Sequence, residues 1–329
     1  MKQPIYSVVM PVYNVEAYVA EAIQSVLDQS LEDFELLVVV DGSTDGSLEI
    51  CRSFEDPRIR IIEQENRGLA GARNSGIAAA RGSFFAFLDS DDRFHPEKLR
   101  LHYIHLCANP EVGVSYAGSR LIDGGGRVLG VAMRPRLTGI TPGHVLKRNP
   151  VGNGSAAVIR REVFDLVRHE APEGHPAWFD ERFRQSEDID LWVRLAGGHG
   201  VRFEGIEGQL TDYRIVAGGL SANIVRQYLS WERMLRKAED YAPLLVDQHG
   251  ARARAYQLRY LARRAIQMGD PCAARKLLRE ALGNAPGILL SEPRKTLTTM
   301  LATLAALALG PRLFGRLSQP FLKGAATCA

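Results

Sequence analysis

The chain has 329 residues, 46% of them hydrophobic and 24% charged, a globular balance that allows one large domain or two ordinary ones with a sizeable core. Its net charge of +3 hides an uneven spread: residues 225–329 carry 17 Lys/Arg against 7 Asp/Glu, so that part is expected to meet something anionic, membrane phospholipid first. Cys51, Cys107, Cys272 and Cys328 stand far apart with no CxxC pair, which argues against a disulfide framework or a thiol metal site and fits a reducing cytoplasm.

The N-terminal apolar stretch is short and soon turns polar, unlike a secretory signal. Strands are expected at Ser7–Met10, Phe34–Val40, Arg58–Ile62 and Ser83–Leu88, with another near Val112–Ala117. Between them fall helical patterns. Glu16–Asp28 places Ala17, Val19, Ala20, Ile23, Val26 and Leu27 broadly on one side, and Leu69–Ala80 is rich in small residues. The DGSTDGS segment reads as a tight turn into a helix starting near Ser43 or Thr44. Such βαβ alternation predicts an α/β fold, Rossmann-like, with a mostly parallel sheet flanked by helices.

Gly118–Asn153 is rich in Gly, Pro and Arg and reads as an irregular connection. Regularity returns with SAAVIRREVF, a short strand entering a helix, then EDIDLWVRLA, a helix with Ser186 as its N-cap, and a strand near Glu207–Tyr213. Residues 223–284 read as helical throughout, including a hairpin closed by Gly269 and reopened by Pro271. Two regions are therefore expected, 1–222 and an all-helical, basic 223–329. The Leu/Ala segment after Pro293 is too short to span a bilayer, which takes about 20 apolar residues. Flanked by Arg294, Lys295, Arg312, Arg316 and Lys323, it either lies at a membrane surface or packs on its own domain.

Chemistry gathers at the predicted strand ends. The apolar run Phe84–Leu88 ends in Asp89-Ser90-Asp91-Asp92, either oxygen ligands for Mg²⁺ or Mn²⁺ shared with substrate phosphates or an acidic helix start. Pro11, Tyr13 and Asn14 follow the first strand and Asp41 the second, the sheet edge where α/β folds bind ligands. Trp192 lies one turn beyond Asp188 and is either a sugar platform or a core residue. His95, His102, His105 and His175 lack a clear ligand set and read as structural.

The order of SVVMPVYN, VVVDGSTDGS, ENRGLAGARNSGIAAARG, FLDSDD with HPEKL, and EDIDLWVRL resembles the family 2 glycosyltransferases, over roughly residues 5–222. The resemblance implies a GT-A fold and an inverting transfer of a sugar from a nucleotide-diphospho-sugar, taken as a UDP-sugar, to a hydroxyl of a glycan or lipid-linked acceptor in surface polysaccharide assembly. It implies that Pro11, Tyr13 and Asp41 hold the base, Arg73 reaches the nucleotide or diphosphate, Asp89 and Ser90 border ribose and sugar, Asp91 binds divalent Mn²⁺ or Mg²⁺, and Asp188 is the catalytic base. Glu187, Trp192, Tyr213 and Arg214 are further acceptor or diphosphate contacts. Two departures stand out: Val40 precedes Asp41 where many members pair aspartates, and Val216 follows YR where some carry histidine. The expected location is the cytoplasm, with peripheral attachment to the inner membrane face left open and no nucleic-acid partner. Two other readings remain: a noncatalytic nucleotide-sugar-binding scaffold, and a sugar-1-phosphate nucleotidyltransferase, whose Gly-rich basic loop is missing from PVYNVEAY. A dinucleotide dehydrogenase is rejected because no GxGxxG follows the first strand.

Overall fold

The computed structural model describes residues 3–216, 224–310 and 314. In chain order it contains β1 (Tyr6–Val12), α1 (Val19–Leu27), β2 (Phe34–Asp41), α2 (Ser47–Arg52), β3 (Ile59–Gln64), α3 (Gly68–Ala79), β4 (Phe84–Phe87), β5 (Arg93–Phe94), α4 (Lys98–Ala108), β6 (Val112–Ile122), β7 (Val128–Met133), α5 (Pro142–Lys147), β8 (Ala157–Arg160) and α6 (Arg161–Asp165). There follow β9 (His169–Glu170), β10 (Pro176–Ala177), α7 (Glu187–Val193), β11 (Arg202–Arg214), α8 (Ile224–Tyr241), α9 (Pro243–Gln267), α10 (Pro271–Asn284), α11 (Ile288–Ser291) and α12 (Pro293–Leu309).

The main sheet has the order β3-β2-β1-β4-β8-β6-β11-β5, with β7 added to β6. Strands β1 and β2 are buried along their whole length because helices cover both faces, which is why they read as continuous apolar runs. Strands β1 to β4 pair in parallel, as the βαβ pattern requires. Beyond β4 the sheet is mixed: β8 runs antiparallel to both β4 and β6, β11 runs parallel to β6, and β5 antiparallel to β11. The expectation of a mostly parallel sheet therefore describes its first half, while the second half is built by a reversal that no local pattern announces.

The Gly118–Asn153 segment is more regular than its composition suggests. It completes β6, turns at Asp123-Gly124-Gly125-Gly126 and returns as β7, then forms α5. The Asp123 carboxylate accepts the Gly125 and Arg127 N–H groups, and Gly126 takes φ +77°. Glycines that look like breakers are here the residues that a tight hairpin needs. Helix α2 starts at Ser47 rather than at Ser43 or Thr44, after Asp45 accepts the Ser47 N–H. Ser186 does precede α7, but it sits in the left-handed region at φ +63° and makes no side-chain cap.

One core lies on each face of the sheet. Val8, Met10, Val12 and Leu36 pack under α1 on one side. On the other, Val9, Phe85 and Phe87 join Phe179, Leu191 and Trp192, and the same cluster takes in Trp231, Met234 and Leu235 of α8 and Ala253 of α9. The boundary expected near residue 222 lies outside the described residues, and the helices beyond it share this core. The α9–α10 hairpin follows its signals: Gly269 takes φ +79°, Asp270 accepts the Ala273 N–H and Pro271 opens α10.

Helix α3 approaches β1 most closely at Gly76, where a Cβ would lie 2.4 Å from Val9 Cγ1 and 3.3 Å from Val39 Cγ2. In an exposed helix Gly→Ala stabilises by about 1 kcal/mol. Here both neighbours are stiff, buried β-branched side chains, so Gly76→Ala should instead destabilise the fold by about 1–3 kcal/mol, read from urea unfolding.

Candidate active site

The loops after β1 and β2 are laced together at the sheet edge. Asn14, in the left-handed region at φ +50°, accepts the Thr44 N–H at 2.8 Å, while Ser47 Oγ accepts the Val15 N–H at 2.9 Å and Glu16 Oε2 the Gly46 N–H at 2.7 Å. Pro11 is buried within β1, beside Val39, and Tyr13 is exposed at the rim. Asp41 ends β2 almost fully buried, accepting Gln64 Nε2 and the Arg67 N–H on Oδ1 and the Gly68 N–H on Oδ2. Those backbone donors open α3, where a carboxylate satisfies otherwise orphaned groups and complements the helix dipole. Asp41 thereby aims α3, the helix that carries Arg73.

Arg73 is 2% exposed and forms the hub of the site. Its Nη1 donates to Glu187 Oε1 and its Nη2 to Asp89 Oδ1, both at 2.7 Å, and its guanidinium lies over the rings of Phe179 and Phe87. Burial alone would lower its proton affinity, but the charges of Asp89, Glu187 and Asp188 outweigh it and raise the affinity further, so the cation is permanent. Among the described residues Nε has no hydrogen-bond partner. Gly154 leaves the space that this group needs, since a Cβ there would stand 2.6 Å from Nη2.

The Asp89–Asp92 turn separates β4 from β5. Ser90 is buried within it. Asp92 accepts Ser155 Oγ at 2.6 Å and the Arg214 N–H at 3.0 Å, and burial followed by the charges of Asp91 and Asp89 raises its proton affinity. Ser155 Oγ also accepts the Asp89 N–H. Below it Lys98 is wholly buried, donating to the Ala156 carbonyl at 3.0 Å and to Thr211 Oγ1 at 3.3 Å; burial pushes its pKa down to about 7, while Asp92 opposes the fall.

Asp91 is the carboxylate left open. Among the described residues no hydrogen bond from another residue reaches it; burial, then the charge of Asp89, pushes its pKa up to about 6 although its own N–H and Arg214 pull it down. A half-buried carboxylate beside a like charge is the kind of oxygen donor a divalent cation suits, and a single turn supplying few protein ligands leaves positions for phosphate oxygens. Asp91 and Asp89 thus fit Mn²⁺ or Mg²⁺. A three-ligand cluster lies elsewhere, at Glu173, His175 and Glu181, but the Arg67 guanidinium contacts both His175 Nε2 and Glu181 Oε1 and makes it an ion-pair cluster.

Asp188 opens the first turn of α7 beside Glu187. Part of its surface stays open, yet burial and the Glu187 charge push its pKa up to about 7, against Arg73 and the Ile189 N–H. Its Oδ2 receives Asn149 Nδ2 at 3.5 Å, and Asn149 Oδ1 in turn accepts the Val151 and Gly152 N–H groups. Tyr213 faces the acidic turn: burial and then Asp92, Asp89 and Asp91 raise its proton affinity.

The structure therefore gathers Arg73, Asp89, Glu187 and Asp188 at one point, with Asp91 on the same acidic turn and Tyr213 on β11 within reach of its charge. Two residues stand apart. Trp192 is 2% exposed and meets Phe203 edge to face at 5.9 Å, so it is core rather than sugar platform. Arg214 is also buried; its Nε donates to the Asp91 carbonyl, Nη1 to the Asp123 and Gly124 carbonyls and Nη2 to Glu21, so it braces the turn from within. Residues that sequence reasoning passed over are Asn149, Ser155, Lys98 and Gly154, of which only Lys98 carried a signal, an ion-forming residue just after the acidic turn.

Residues 7–167 match the family described as Glycosyl transferase family 2. The chain is 30% identical over 224 residues to TuaG of Bacillus subtilis, named a teichuronic acid biosynthesis glycosyltransferase, covering 67% of this chain and 83% of that protein. It is 31% identical over 219 residues to an uncharacterized glycosyltransferase of Rickettsia felis, covering 64% of this chain. It is 48% identical over 91 residues to EpsJ of Bacillus subtilis, covering 27%. Those matches span only 33% and 26% of the two relatives' own lengths. Among solved structures it is similar to the mannosyltransferase PcManGT of Pyrobaculum calidifontis in complex with GDP-Man and Mn²⁺, at TM-score 0.58 and 20% identity over 99% of this chain and 87% of that one. It is also similar to S. aureus TarS in complex with UDP-GlcNAc, at 0.53 and 16%, over 85% and 88%. At such identities the likeness establishes a shared fold.

Removing the buried cation while keeping apolar volume, Arg73→Met, leaves Asp89 and Glu187 uncompensated and should destabilise the fold by about 3–5 kcal/mol in urea unfolding. Asp188 behaves oppositely. Its folded pKa of about 7 lies above the usual carboxylate range, so its charge costs stability above pH 7, progressively less as the pH falls, and nothing once both folded and unfolded forms are protonated. Asp188→Asn should therefore raise stability by roughly 2 kcal/mol at pH 8, with the gain vanishing near pH 4, measured by unfolding at both pH values.

Proposed function

Because the chain belongs to the family 2 glycosyltransferases, we propose that it transfers a sugar, with inversion, from a nucleotide-diphospho-sugar to a hydroxyl of a glycan or lipid-linked acceptor during surface polysaccharide assembly. One observation carries the reading: the Arg73 hub joins the strand end bearing Asp89 and Asp91 to the helix start bearing Asp188. That link supports a reading in which the groups for leaving-group stabilisation and for acceptor activation are neighbours. UDP is the nucleotide proposed, with Pro11, Tyr13 and Asp41 holding its base and Asp89 and Ser90 bordering the ribose and sugar. Asp41 already holds three donors, so a uracil imide would take the remaining acceptor direction on Oδ2.

Cleaving the sugar–phosphate bond puts negative charge on the departing diphosphate. Divalent Mn²⁺ or Mg²⁺, held by Asp91 with Asp89 beside it, would supply charge neutralisation there. Arg73, paired with Asp89 and Glu187, would hold both carboxylates in place before the substrate arrives, so no reorganisation is needed there. Asp188 takes the acceptor proton. A carboxylate with pKa near 7 is a far better base than an exposed aspartate, and Asn149 keeps its Oδ2 oriented. Glu187 is bound to Arg73 and serves as an orienting partner. Tyr213, close enough to feel the charges of the acidic turn, would contact the diphosphate.

Incubation with a panel of nucleotide sugars and Mn²⁺, read as nucleotide release, tests the reading. Asp188→Ala and Asp91→Ala should each lower turnover by about 10²–10⁴-fold with the fold intact by circular dichroism. For the unaltered chain, turnover should rise with pH through about 7 as Asp188 loses its proton, then level off. Metal-dependent nucleotide binding without turnover across many acceptors would favour a noncatalytic scaffold instead. Full activity in either variant would remove the role assigned to that residue.

A further inference from the structure

Helix α12 is packed inside out. Its buried face consists of Thr296, Thr299, Thr303 and Ala306. The three hydroxyls donate to carbonyls one turn back, Glu292, Lys295 and Thr299, so threonine can face inward with its polar group satisfied. The opposite face carries a stripe of leucines with Arg294 at its start. Leu297, Leu301 and Leu304 are 49%, 66% and 61% exposed, and their spacing of four and three residues places them in one stripe. Leu290 on α11, just before, is 87% exposed. A surface helix normally shows the reverse arrangement, and a contiguous exposed apolar stripe marks a contact surface.

We propose that α12 docks on an anionic lipid surface, its leucine stripe entering the headgroup boundary while neighbouring basic side chains meet lipid phosphates. Charge selects lipid over a second copy of the chain. Exposed Arg294, two turns before Leu301, shares the stripe's side, and the helix contains no acidic residue. Helix α10, which packs against α12, exposes Arg275, Lys276 and Arg279. Residues 225–310 carry 14 Lys/Arg against 7 Asp/Glu, so two copies meeting there would bring like charges together, whereas an anionic surface attracts them. Among the described residues no helix is long and apolar enough to cross a membrane, so α12 lies on the surface rather than through it. Arg312, Arg316 and Lys323 lie outside the described residues and carry none of the argument.

The full chain is sedimented with phosphatidylcholine vesicles with and without phosphatidylglycerol, in the absence of any sugar nucleotide, so the outcome is independent of catalysis. Binding should require phosphatidylglycerol, weaken with salt, and fall by at least about tenfold in the Leu297→Ser/Leu301→Ser/Leu304→Ser variant. These side chains are exposed, so the variant should keep the wild-type circular dichroism and melting temperature. Arg294→Glu, a single surface change, should weaken binding several-fold by itself. The proposal is overturned if the triple variant sediments like wild type, if neutral vesicles bind equally well, or if binding is lost only on removal of residues 311–329. It is also overturned if light scattering shows a dimer that the triple variant dissolves while vesicles bind neither protein.

Discussion

The site depends on one buried cation. Arg73 leaves α3 to bridge Asp89 at the end of β4 and Glu187 at the start of α7, fastening three elements that are far apart in the chain. A guanidinium so fully enclosed is tolerable only because its planar fork meets two carboxylates and two aromatic faces. The carboxylates in turn are tolerable because Arg73 is there. Beside that pair, burial and then the charge of Glu187 raise the proton affinity of Asp188 while Arg73 stays charged.

Around this hub the protein spends its polar side chains on backbone geometry. Asp41 caps α3 and so sets where Arg73 emerges. Ser155 and Arg214 bond to both backbone and side-chain atoms of the acidic turn, and Lys98 braces the strand behind it. The turn is held from both sides by these bonds, and among the described residues none of them is spent on the Asp91 carboxylate. Preorganisation of this kind is what electrostatic stabilisation of a leaving group needs.

The helical region is joined to the site as well as to the core. Glu292, at the start of α12, contacts both Arg148 and Arg259, and Arg148 also lies over the Tyr256 ring of α9. Arg148 immediately precedes Asn149, the residue in contact with Asp188. The helices thus hold the loop that touches Asp188, and the same α12 turns its leucines outward. One helix pair connects the interior of the site to an outer surface.

β1, β2 and β4 were legible because burial on both sheet faces writes continuous apolar runs, while the half-buried edge strand β3 was legible from its β-branched residues. Asp41, Arg73, Asp89, Asp91 and Asp188 were legible for a related reason, since each lies in or beside a local motif whose order resembles one family. What escaped was non-local. A Gly-rich segment became a hairpin and a strand because β6 offered an edge to pair with, and Ser186 became a left-handed hinge rather than a cap. Trp192 and Arg214 went into the interior, and Asn149 and Gly154 entered the site, through contacts with residues many positions away. Local sequence by itself determined which side chains could do chemistry and which segments would be strands or helices. Tertiary structure alone decided which of those side chains were consumed as braces and which were left open, because that depends on distances and burial created only when separate segments close on one another.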